Sequence, residues 1–113
     1  MAETGLITRA KVFATSVAAS TDFLATDVPP THGRSTFRLT VQLATAAKLT
    51  VEVDDGTTQK SLGMFDDSDL TAGQLYTAVL GVDVGFTYNF QHDDAGAVVV
   101  DYFLLEEILG GEI

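Results

Sequence analysis

Apolar and polar side chains alternate with a period of two residues along most of this chain, and no segment repeats its apolar residues with a helical period. That pattern restricts the chain to sheets, because only extended backbone sends successive side chains to opposite faces. In STFRLTVQLA, Phe37, Leu39, Val41 and Leu43 share one face, and Arg38, Thr40 and Gln42 the other. This is the pattern of a half-buried antiparallel strand. In KLTVEV, Leu49, Val51 and Val53 alternate with Thr50 and Glu52. DDGTT then supplies a tight turn, since Asp and Gly tolerate positive φ, and QKSLGMF returns.

LYTAVLGV sets Tyr76, Ala78, Leu80 and Val82 against Thr77, Val79 and Gly81, and GFTYNFQ aligns Phe86, Tyr88 and Phe90. The stretch from Asp69 to Gln91 therefore reads as two strands of one hairpin. HDDAG is a further turn. AVVVDYFLLEEI follows, apolar on both faces at its centre, as expected of a central strand or one covered by another subunit. Pro29 and Pro30 force a loop. The best helical candidate, DDSDLTAGQ, offers at most one turn.

These signals predict an all-β fold: an antiparallel β-sandwich or jelly-roll-like barrel of seven or eight short strands, with an extended N-terminal arm. A length of 113 residues predicts a single β domain over 1–113. Residues 1–18 are a candidate arm and 109–113 a C-terminal tail. In the arm, GLITRAKVFATSV, alternation puts Ile7, Arg9, Lys11, Phe13 and Thr15 on one face and Leu6, Thr8, Ala10, Val12 and Ala14 on the other. Such arms add strands to neighbouring sheets, so deleting residues 1–16 is expected to leave a folded sandwich.

The charge is divided. Six bases and six acids cancel within the first 60 residues, while residues 61–113 carry ten acids and no base. An acidic surface of this kind repels nucleic acid. The start lacks a basic region followed by an apolar one, and the longest apolar run, AGAVVV, is far too short to cross a bilayer. The expectation is a soluble protein with neither nucleic-acid nor membrane partners. With no cysteine, thiolate metal sites and cysteine nucleophiles are absent.

Chemistry-bearing motifs are sparse. His32 and His92 fall in expected loops without metal-ligand spacing, and both read as solvated. Asp66, Asp67 and Asp69 are the best calcium candidates, although the spacing of a known calcium loop is missing and Asp also favours turns for its own hydrogen bonds. No phosphate loop or nucleophile motif occurs, and no cofactor is expected. An enzyme would need His92 to converge with Asp93 or Asp94. A carbohydrate- or receptor-binding sandwich of a tail or cell-surface protein would need Tyr76, Phe86, Tyr88, Phe90, Tyr102 and Phe103 to form an exposed platform, whereas their alternation assigns most of them to the core.

Leu70, Gly73, Tyr76, Leu80, Val82 and Asn89-Phe90, followed by AVVVDYFLLEEI with its acidic close at Glu106-Glu107-Ile108, are the elements that carry a resemblance. Over roughly residues 69–108 the chain resembles small structural proteins of tailed bacteriophages and archaeal viruses, including capsid decoration (cement) and tail-associated proteins. The resemblance implies a non-enzymatic virion component: a homo-oligomer, expected to be a trimer, that clamps the major capsid protein or another virion component. Leu6, Ile7, Arg9, Lys11 and Phe13 on the arm are the expected partner-binding residues.

Overall fold

The computed structural model describes residues 5–31 and 34–109. The described residues form seven strands: β1 (Gly5–Val17), β2 (Arg34–Leu43), β3 (Leu49–Asp54), β4 (Gln59–Gly63), β5 (Tyr76–Asp83), β6 (Thr87–His92) and β7 (Val98–Leu109). They form two wholly antiparallel sheets, one in the order β1-β7-β2-β5 and the other β4-β3-β6. The two sheets stay separate, so the architecture is a sandwich and not a closed barrel.

The alternation read from the sequence decides which side chains lie between the sheets. Phe37, Leu39, Val41 and Leu43 of β2 are fully buried, as are Leu49, Phe90, Phe103 and Leu105. Burying each such side chain contributes about 1.5–3 kcal/mol. Aromatic rings bind the layers together. Phe103 of β7 meets Phe90 of β6 edge-on at 5.1 Å and Phe23 at 5.5 Å, and Phe37 of β2 meets Tyr88 of β6 at 5.6 Å. β7 lies between β1 and β2, so both of its edges are paired.

Among the described strands, only β3 and β4 form a hairpin between consecutive elements. Its turn is built as DDGTT foretells. Gly56 takes φ +94°, the Asp54 carboxylate accepts the Gly56 N–H at 2.7 Å, and Asp55 accepts those of Thr57 and Thr58. The stretch from Asp69 to Gln91 is not a hairpin. β5 pairs with β2 and β6 with β3, so the turn at Gly85 (φ +96°) carries the chain from one sheet to the other. Alternation fixes which face a strand buries but not which neighbour it finds. The expected helical turn is a single 3₁₀ turn, Phe65–Asp67, whose three residues have φ between +54° and +60°.

The N-terminal segment is extended, but it docks on its own domain. β1 pairs along β7 from Gly5↔Leu109 to Val17↔Val98. The arm is therefore an edge strand of the larger sheet, and removing it would bare β7. Residues 5–16 of the segment expected to be dispensable for folding are thus part of the sheet itself.

Candidate docking surfaces

A bulge in β1 reorganises the five residues expected to bind a partner. The register slips between Thr8 and Ala10, leaving Arg9 as the extra residue. Ile7 is level with Glu107, which is fully buried and faces inward, whereas Lys11 and Phe13 are level with Leu104 and Tyr102 on the outer face. Leu6, opposite Ile108, is also outward. The single face drawn from strict alternation is thus split in two.

Arg9 is a structural residue. Its Nη1 donates to Glu107 Oε1 at 2.6 Å, and the Thr31 N–H and hydroxyl donate to the same carboxylate. Burial pushes the Glu107 carboxyl up, but the hydrogen bonds from Ser35, Thr31 and Arg9 outweigh it and hold the group below the ordinary carboxylate range. This cluster ties β1 and the Pro29-Pro30 loop to β7. On the outer face, Arg38 of β2 pairs with Glu106 at 2.8 Å, and Phe13 stacks on Tyr102 with centroids 4.9 Å apart. Phe13 nevertheless remains 48% exposed.

Two other polar clusters also hold the fold. Asn89 on β6 exchanges hydrogen bonds with Leu24 N–H and C=O and donates to Asp27 at 2.8 Å. Backbone bonds from Phe23 to Phe90 and between Val28 and Tyr88 accompany it, so the 23–28 segment covers the outer edge of β6. Glu52, buried on the outer face of β3, accepts from Thr50, Gln59 and Ser61.

His92 is a buried residue at the end of β6, not a solvated loop histidine. Its Nε2 lies 2.8 Å from Val17 O and its Nδ1 accepts Asp94 N–H at 3.1 Å, so both ring nitrogens are occupied. Asp93 is turned away, accepting Lys48 N–H. His32 lies outside the described residues. Asp66, Asp67 and Asp69 are exposed, and among the described residues no three His, Asp or Glu side chains converge to hold a metal ion. Phe90, Phe103 and Tyr88 are core, Tyr76 and Tyr102 are half-buried, and Phe86 stands alone at the surface, so the six aromatics form no continuous platform. No helix among the described residues is long and apolar enough to cross a membrane.

The less expected surface lies between β4 and β5. Each is the last strand of its sheet, and the sheets are offset there. Leu62 on β4 is in register with Val51 on β3 and shares its inward face, yet Leu62 is 53% exposed where Val51 is 4%. The inward face of β4 has no strand of the larger sheet beneath it. What remains is a cleft of about 230 Å³, lined by Val51, Val53, Leu62, Leu80, Phe86 and Tyr88, with Gly81 and Asp83 at its lip. Alternation grouped Leu80 with Tyr76, Ala78 and Val82 on one face, and it assigned no face to Leu62. It had no signal for the offset that leaves them open. No protein-family model and no curated protein matches this chain.

Proposed function

We propose that this chain is a structural protein of a tailed virus, a capsid decoration (cement) protein that assembles as a homotrimer and stabilises the shell through strand-edge contacts. Its place is the virion, and its work is binding without chemistry. The observation that carries this reading is the open seam. A domain that covers the edge of β6 with its own 23–28 segment leaves apolar residues and two strand edges uncovered at β4 and β5. Open edges beside apolar clefts are where β-strand addition occurs.

The acidic C-terminal half supports a solvated outer surface, and the β-rich stretch over residues 69–108 supports the viral assignment through resemblance. The test is co-sedimentation with empty shells assembled from a tailed-virus major capsid protein. Decoration predicts saturable binding and a higher shell melting temperature. No co-sedimentation would defeat the assignment, and specific glycan binding in its place would turn the role toward a receptor-binding module.

A further inference from the structure

We infer that the strand missing beside β5 is β1 of a second copy, so that the copies join head to tail through opposite edges of the four-stranded sheet. This inference rests on the proposed self-assembly and names its contact. Three observations converge on it.

The first is strand direction. In the order β1-β7-β2-β5 every neighbour is antiparallel, so β1 and β5, at the two ends, run in opposite directions. Copies in the same orientation set side by side therefore bring β1 against β5 antiparallel, which is the sense both sheets already use. A contact between two different patches of identical chains closes into a ring when the rotation between copies completes a circle, as the proposed trimer requires, and otherwise runs on as an open filament.

The second is shape. One more strand beside β5 would lie under the overhanging β4, where Leu62 is exposed on its inward face and Leu80 is half-buried. β1 carries small and medium apolar side chains at its inward positions Ala10 and Val12. When Val12 meets the inward Val82, Phe13 falls opposite Gly81. A side-chain carbon built at Gly81 meets nothing within 4 Å, so the ring has room to cover that strand.

The third is charge. The free charge of β1 is Lys11, since Arg9 is paired with the buried Glu107, whereas residues 76–86 hold Asp83 and no base. The same register sets Lys11 opposite Asp83, both exposed on the outer face. The competing arrangement, β1 against β1 across a two-fold axis, would bring two basic strands together and leave the seam open.

The test uses the full chain. In multi-angle light scattering, Lys11→Asp and Asp83→Lys should each raise the dissociation constant about tenfold or more, and the double variant should restore assembly. Because the chain has no cysteine, Lys11→Cys with Asp83→Cys on one chain gives an independent readout. Oxidation should yield covalent rings that run on a reducing gel as single chains. Circular dichroism confirms that each variant is folded. Dimers from Lys11→Cys alone, or an assembled protein indifferent to both charge reversals and uncrosslinked by the cysteine pair, would overturn this contact and leave self-assembly standing. A wild type that is monomeric at every concentration would overturn both.

Discussion

Glu107 offers the sharpest test of how the larger sheet holds its first strand. Its carboxylate is fully buried and bonded to Arg9, whose side chain is only 15% exposed, and to Thr31. Glu107→Ala strands the guanidinium and removes the acceptor for several donors. Breaking a buried pair from one side costs about 3–5 kcal/mol. A domain of this size has only about 5–15 kcal/mol in total, so about a fifth or more of its stability is at stake. Glu107→Gln keeps the shape and one acceptor oxygen, and should cost about 1.5–3 kcal/mol. Replacing both partners, Arg9→Met with Glu107→Leu, removes the stranded charge and should recover most of the loss. Urea unfolding followed by circular dichroism measures all three, with an unchanged m value as the control.

Acid titration checks the same cluster. The folded Glu107 carboxyl titrates below its unfolded value. Its stabilisation is therefore fully present above the unfolded glutamate pKa, about 4.3, and disappears as pH falls through the lower folded value. Below about pH 4.3 the wild type should lose stability faster than Glu107→Gln. A Glu107→Ala loss under about 1 kcal/mol, or a double variant no better than the single, would refute the reasoning.

Other outcomes follow from the same structure. Asn89→Ala should cost about 3 kcal/mol by removing the acceptor and donors that fix Leu24 and Asp27, and hydrogen exchange should quicken across residues 23–28. Phe103→Ala, at the meeting of Phe23 and Phe90, should cost about 3–5 kcal/mol in chemical denaturation. Deleting residues 1–16 should leave a chain that aggregates or unfolds, because it bares β7 and strands Glu107; a cooperative, soluble truncation would contradict the pairing. Leu62→Glu should change stability by no more than about 0.5 kcal/mol yet abolish self-association in light scattering, since Leu62 is half exposed in the single chain.

The strands were legible in the sequence because burial follows alternation residue by residue. Phe37, Leu39, Val41 and Leu43 are buried where the pattern put them. The turn at Gly56 was legible for a local reason, the preference of Asp-Gly for positive φ. Partners across space were not. A strand's pattern is the same whether it pairs with β2 or β3, so the crossing between β5 and β6 was hidden, as was the docking of β1 on β7. The bulge at Arg9 carries no composition signal, yet it reverses the faces of the residues after it. His92 reads as a loop residue beside two aspartates; its burial follows from the contact with Val17 O, 75 positions away in the sequence.

The seam was the least visible feature. Leu62 shares the inward face of Val51, and only the offset between sheets leaves it in water. That offset is set by how the two sheets stack on each other, which is a property of the whole fold.

Native mass spectrometry of the unmodified chain at neutral pH puts the central claim to its most direct test. The proposed trimer, joined through the uncovered β4–β5 seam and the open edge of β1, predicts one discrete species with the mass of three chains. A single-chain mass that persists at every concentration, with Leu62 still exposed, would show that the fold needs no neighbour and would contradict the account.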